Sequence, residues 1–325
     1  MNDRKTYQQL IGDFVPPRVF DAHAHFYRLQ DVGDGDPRQA GTVPEIAGYD
    51  QWLAAQMDMM GDSAPRDGLF FAFPGPKMDM AAANSFVLEQ VRDRPGSRAL
   101  IMIDPQDDPD QLGLDDGWAG FKVYHAFSGN ARTQDALIDQ FLPDWAWEIA
   151  DQRGWSIMLH LVRMRSLADP VNTRYITDHC RRFPNARLIL AHAGRGFAGH
   201  HTVEGLSDLT GLDNLFFDTS AVCEPVAMWH ILKQFGPRRL LYGSDYPISN
   251  WRGKAISIGD GFFWLYEQMI DWSNWDLGAP TLAGIESLHA IKLATQMTNL
   301  ADADIECVFY NNAAELFGLN QQDGV

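Results

Sequence analysis

Asp21-Ala-His23-Ala-His25 closes the first apolar run of the chain, and its reading decides the fold. Residues two apart in a strand point to the same face, so His23 and His25 project together where that strand ends. Two imidazoles side by side are a ready pair of ligands for a divalent metal. On its own the pair is outweighed by a blander reading, two satisfied core histidines. The rest of the chain has to change those odds.

Outward from this stretch, eight short apolar runs recur between longer helical patterns. They are 18–23 (RVFDAH), 68–73 (GLFFAF), 98–103 (RALIMI), 119–124 (AGFKVY), 155–160 (WSIMLH), 187–192 (RLILAH), 214–218 (NLFFD) and 240–243 (LLYG). Most are wholly apolar rather than alternating, as in parallel strands buried on both faces. Helical patterns fill connections such as 79–93, 137–153 and 170–183, with Pro143 interrupting or starting one of them. The connection 104–118 is short and rich in Asp and Pro, so its helix is expected to be stunted. The alternation predicts an α/β protein with a (β/α)8 TIM barrel. A doubly wound open sheet shares the alternation, but no Gly-rich dinucleotide fingerprint follows any of the strands.

Two segments exceed ordinary connections: 26–67, with a helix expected at 51–60, and 246–280, rich in aromatics including Trp251, Phe262, Phe263, Trp264, Trp272 and Trp275. In a barrel both leave the C-terminal face, where active sites lie, and read as walls or lids of a pocket. Oligomer contact is their other reading. There is no internal repeat or low-complexity linker, so 1–325 reads as one barrel domain carrying these two insertions.

The 325 residues are 46% apolar and 21% charged, which excludes disorder as the main state. Against 26 Lys and Arg stand 43 Asp and Glu, a net charge of -17. Such a chain repels phosphate backbones and anionic membrane surfaces, so neither nucleic acid nor membrane is an expected partner. Three widely spaced cysteines make no disulfide framework. The N-terminus lacks an apolar signal region, and no run approaches a spanning helix. A cytoplasmic protein is expected.

Three further strand ends carry polar residues. His160 ends the fifth run, His192 the sixth, and Asp245 follows the eighth in Gly243-Ser-Asp245-Tyr-Pro247. The end of an apolar strand is an expensive place for a polar group without a purpose. In a barrel these four ends converge on one point.

With these residues in place the chain resembles the amidohydrolase superfamily, and more narrowly its amidohydrolase-2 branch. That branch includes aminocarboxymuconate-semialdehyde decarboxylase and related lactonases, hydratases and decarboxylases. The tail 310–319 (YNNAAELFGL) fits it too, so the resemblance runs from Phe20 to Leu319. It implies one divalent metal, Zn²⁺ first and Mn²⁺ as the alternative, with His23, His25 and His160 as neutral ligands. Asp245 would bind the metal, hydrogen-bond its water, or both. His192 matches the position that polarises substrate or shuttles a proton. Three nitrogens and an open position suit metal-activated water, and Asp245 could take and return the proton.

Lys122 has three readings: a structural ion pair, a contact to a substrate carboxylate, or the carbamate that bridges two metals in some superfamily members. Tyr124 should share its face, with His125 on the opposite side if the strand continues. Substrate anions would need cations on the catalytic face. Arg28, Arg163, Arg165 and Arg195 are placed for this, Arg195 first because glycines flank it. For any single arginine, surface charge or an ion pair is the stronger expectation. Asp21 is expected to hold a neighbouring group in place, and Asp218 to support a metal histidine. The pair His200-His201 reads as surface or packing, able to take adventitious metal. Cys180 and Cys223 get no nucleophile role.

These readings predict a metal-dependent hydrolase acting on the C=O carbon of a small, carboxylated lactone, ester or amide. A decarboxylase or hydratase of the same branch is the alternative, and a non-catalytic ligand-binding barrel ranks third. A homodimer is a family expectation only.

Overall fold

The computed structural model describes residues 3–34, 43–114, 117–274 and 280–319. Among them, eight strands run parallel in sequence order: β1 (Phe20–Arg28), β3 (Asp67–Ala72), β4 (Arg98–Met102), β5 (Trp118–Val123), β6 (Ser156–Leu159), β7 (Arg187–Leu190), β8 (Leu215–Asp218) and β9 (Leu240–Leu241). A two-residue strand, β2 (Ile46–Ala47), adds antiparallel to the outer end of β1. The sheet returns on itself. Ala22 N donates to Tyr242 O and His25 N to Tyr246 O, each at 2.8 Å, and Asp245 N donates to His23 O at 2.8 Å. All eight expected runs form strands, within two residues at most ends except β1, which continues to Arg28.

The apolar runs are explained by what lies on either side of them. Inside, Phe20, Ala22, Leu69, Phe71, Leu100, Met158, Ile189 and Leu241 fill the barrel. Outside, Phe121, Ile157, Leu159, Leu188, Leu190 and Phe217 pack under the helices. Burial on both faces leaves no room for polar alternation. At the N-terminal end, the short helix Asn312–Phe317 closes the barrel with Ala313 and Leu316, and the Arg98 and Arg187 guanidiniums donate to its last carbonyls.

The helices follow their start signals. Asp79 accepts from Ala82 N ahead of Met80–Val91, and Asp169 from Val171 N ahead of Pro170–Arg182, whose first residue is the proline. Pro143 starts the helix Asp144–Arg153 rather than interrupting it. Between β4 and β5 the described residues contain only the 3-10 turn Pro109–Gln111.

One feature was not expected. Within 246–280 the chain builds an antiparallel hairpin, β10 (Gly253–Ile258) and β11 (Gly261–Tyr266). Its two-residue loop begins with Gly259 at φ +56°, the Gly-first pattern of a II′ turn. Trp275 lies outside the described residues. The helix expected at 51–60 is Tyr49–Met60, and it sets Trp52 beneath β1.

Candidate metal centre

A register shift in β1 aims the two histidines. The pairing with β3 slips between Asp21 and Ala24. Phe20 and Ala22 therefore belong to the inner core, while His23 and His25, of the opposite parity, both face the C-terminal mouth. Asp21 anchors the slip from behind. It accepts from Trp52 Nε1 at 2.8 Å, from Ser244 N at 2.8 Å, from Ser244 Oγ at 2.6 Å and from His23 N at 3.2 Å. Burial pushes its carboxyl up to about 6 in spite of these donors.

The other strand ends meet these rings. Asp245 Oδ1 lies 3.3 Å from His23 Nε2 and 3.4 Å from His25 Nε2, and Oδ2 lies 3.7 Å from His192 Nδ1. Donor atoms of His23, His192 and Asp245 all fall within 4.8 Å of one another. His160 stands beside this group, its ring 5.0 Å from that of His192, and its buried Nδ1 has no hydrogen-bond partner.

The far sides of His23, His25 and His192 are tied down. His23 Nδ1 is 2.9 Å from Asp218 Oδ2, and His25 Nδ1 donates to Ala72 O at 2.9 Å. Ser220 Oγ donates to Asp218 Oδ1 at 2.5 Å and lies 2.9 Å from His192 Nδ1. Donation from Nδ1 leaves Nε2 of His23 and His25 with a free lone pair toward Asp245. The Nε2 of His23 is buried without a hydrogen-bonding partner. Burial, then the Lys122 charge, holds His23 well below the usual imidazole range, and burial also lowers His25. His160 is lowered well below its range by burial and then by His192. Burial alone would raise the Asp245 carboxyl, but His192, His23 and His25 outweigh it and keep it ionised. Neutral imidazole lone pairs converging on a carboxylate are a donor set that fits a divalent cation.

Backbone strain collects here. His192, Ala193, Gly194 and Arg195 all have positive φ, from 53° to 70°, and Asp245 has φ 59°. Consecutive left-handed residues are costly for anything but glycine. The turn is held by His192 N donating to Asp218 Oδ1 at 2.8 Å and by Gly196 N donating to His192 O at 2.6 Å. His192 thus sits just past β7 rather than in it.

Above the donors lies a cavity of about 260 Å³. Lys122 enters from below with Nζ 4.4 Å over the Phe71 ring. Burial lowers it to about 8, partly offset by Asp218 and Asp245, and no carboxylate among the described residues comes within the 4.0 Å of an ion pair. Tyr124 faces the cavity as expected. His125 faces it too, because β5 ends at Val123 instead of continuing and the chain enters a 3-10 turn; the Tyr124 and His125 rings stack at 4.4 Å.

Of the four arginines, Arg195 alone lines the cavity. Its guanidinium lies 5.0 Å over Phe262 and donates to Arg163 O at 2.8 Å and Gln134 Oε1 at 3.2 Å. Arg28 is drawn away by Asp31 at 2.6 Å, and Arg163 by Asp169 at 2.5 Å. Arg165 pairs with Glu204 and Asp260. The hairpin supplies one cavity wall. Phe262, Trp264 and Tyr266 face inward, Phe263 outward. Phe73, Gln134 and Phe197 also line the cavity, and no sequence signal singled them out.

The sequence model of a family described as amidohydrolase matches residues 20–319. Among solved structures, an amidohydrolase of Burkholderia multivorans with bound HEPES superposes with a TM-score of 0.62 at 15% identity, over 92% of this chain and 99% of that one. A probable 2-pyrone-4,6-dicarboxylic acid hydrolase of Acinetobacter baumannii, with citric acid bound, gives 0.56 at 16% identity over 92% and 99%. A 5-carboxyvanillate decarboxylase of Sphingomonas paucimobilis gives 0.56 at 16% over 93% and 99%. At such identities these likenesses establish the fold. Among curated proteins, one from Agrobacterium vitis named "Putative tartrate transporter" shares 30% identity over 100 residues, and the match spans 29% of this chain and 22% of that protein.

Proposed function

We propose, from the premise that this chain belongs to the amidohydrolase family, that it is a metal-dependent hydrolase of a small, carboxylated, planar lactone or ester. The carrying observation is the ionised Asp245 carboxylate within 3.4 Å of two neutral imidazole nitrogens at the floor of an aromatic cavity. His23, His25 and Asp245 would hold one divalent ion, Zn²⁺ before Mn²⁺, with His160 as the further ligand. Bound there, the ion would supply Lewis acidity toward oxygen and acidify water.

Asp245 Oδ2 accepts the proton of the attacking water as its oxygen bonds to the carbonyl carbon, and returns it to the leaving oxygen as the ester bond breaks. His192, at the edge of the same carboxylate, hydrogen-bonds the developing oxyanion. Arg195 presents a guanidinium to the substrate carboxylate, and its stacking on Phe262 limits its freedom. Lys122, poised near 8 with no ion pair, is a second anchor for that carboxylate. Phe262, Trp264 and Tyr266 receive a flat ring and exclude water. Ile248, Trp251 and the hairpin, all within 246–280, wall this pocket, whereas none of the described residues of 26–67 lines it, against expectation.

Decarboxylation is the second reading, and the aromatic wall favours it: a flat ring held against Trp264 would present a carboxylate to Lys122 and Arg195. The test is a panel of carboxylated lactones, aryl esters and hydroxybenzoates in ¹⁸O water. Hydrolysis predicts one ¹⁸O in the product carboxylate and no CO₂. Release of CO₂ without ¹⁸O uptake at an acyl carbon overturns hydrolysis in favour of the second reading.

A further inference from the structure

The fold gathers metal-ligating side chains in a second place, which the reaction does not use. The β10–β11 hairpin turns at Asp260, and this tip meets the helix Gly199–Gly205. His200 Nε2 lies 3.2 Å and His201 Nε2 3.1 Å from Asp260 Oδ1. One donor atom from each of the three falls within 4.8 Å of the others. Arg165 Nε donates to the same Asp260 Oδ1 at 3.4 Å and lies 3.2 Å from Oδ2, and Arg165 is itself paired with Glu204 at 2.5 Å.

The spacing, here that of two hydrogen bonds, is also that of a metal shell. With bonds of about 2.0–2.1 Å and tetrahedral angles, neighbouring ligand atoms lie about 3.3 Å apart. The strand-end site shows 3.3 and 3.4 Å between imidazole nitrogen and carboxylate oxygen, and the tip shows 3.1 and 3.2 Å. Charge agrees. Asp260 and Glu204 are acids, Arg165 is a cation, and with both imidazoles neutral the group carries net -1, which favours a divalent ion. The His201 ring is buried, so one ligand is rigidly placed, while His200 and Asp260 remain open to solvent and give the ion a way in.

We propose that His200, His201 and Asp260 form a second divalent-metal site, for Zn²⁺ or an ion of similar softness, that pins the hairpin tip to the barrel. The chemistry is that of two imidazoles and one carboxylate with a water-filled fourth position. Because Phe262, Trp264 and Tyr266 of the same hairpin line the cavity, occupancy at the tip holds the pocket wall shut. The site regulates access to the pocket and does not depend on which reaction runs beneath it.

The test compares the wild-type chain with Asp260→Asn and His200→Gln, both at partly exposed positions. Zinc binding is counted by equilibrium dialysis at micromolar zinc, and backbone hydrogen exchange is followed in residues 253–266. Wild type should hold one zinc more than either variant. At zinc tenfold above the dissociation constant its hairpin should exchange about elevenfold more slowly, with no zinc effect in the variants. A His23→Ala chain should keep the tip zinc, which separates this site from the strand-end one. Equal zinc in wild type and variants, uptake only at millimolar zinc, or an extra zinc without slowed exchange each overturns the proposal; the first two would leave a simple hydrogen-bonded latch.

Discussion

The strand-end cluster and the hairpin tip hold the same kinds of side chain in opposite settings. At the strand ends three rings are fixed from behind by a buried partner: Asp218 for His23, the Ala72 carbonyl for His25, Ser220 for His192. At the tip only His201 is buried, and the aspartate that joins the two histidines is more than half exposed. A scaffold that fixes its donors before the ligand arrives pays no ordering cost on binding. A cluster assembled between a loop and a helix can let go. On the proposals above, the comparison teaches that one barrel would carry a permanent metal centre in its floor and a reversible one at its hairpin tip.

The largest expected effect tests the fixed side of that contrast. His23→Ala removes a buried ligand and leaves Asp218 and Asp245 facing a hole, so the chain should lose its strand-end metal and its turnover together, read by metal content and rate. Asp245→Asn keeps the shape and removes the proton acceptor. It should retain much of the metal while kcat falls by about 10²–10⁴-fold; full activity would remove Asp245 from the proton path. Asp218→Asn touches neither substrate nor metal. It should weaken metal affinity by about 10–100-fold through loss of His23 orientation, measured by competition with a chelator.

Smaller effects belong to the wall and the tip. Arg195→Ala removes a charge-assisted hydrogen bond of about 1.5–3 kcal/mol, so KM for a carboxylated substrate should rise by roughly 10–100-fold with kcat little changed. An uncharged analogue should show no such rise. Arg165→Gln breaks an exposed pair of the kind that adds little to stability. Thermal stability should be almost unmoved, while exchange in 253–266 quickens. If Arg165→Gln unfolds the chain instead, the tip is as fixed as the floor and the contrast fails.

Much of the floor was legible in the sequence, and so was 246–280 as an aromatic wall, but its hairpin was not, for one physical reason. Parallel strands buried on both faces read as apolar runs, and a polar residue at the end of such a run stands out, as His23, His160, His192 and Asp245 do. The hairpin strand Gly261–Tyr266 is apolar at both parities, so its alternation between cavity and exterior leaves no trace in residue type. The alternation that would set His125 on the opposite side requires a continuing strand, and the strand ends at Val123. Arg28 and Arg163 were drawn off by acids three and six residues away, Asp31 and Asp169, a signal that the sequence does contain. The left-handed turn from His192 to Arg195 carries a single glycine, too little to announce four positive φ values in a row.

The central claim is that the strand-end histidines hold a divalent ion on which Asp245 works. Elemental analysis of protein purified without added metal tests it most directly, comparing a His200→Gln parent, in which the tip no longer contributes, with the same chain carrying His23→Ala. The account predicts about one divalent ion per chain in the parent and none in the double variant. Equal metal content in the two, or none in the parent even after reconstitution, would contradict it.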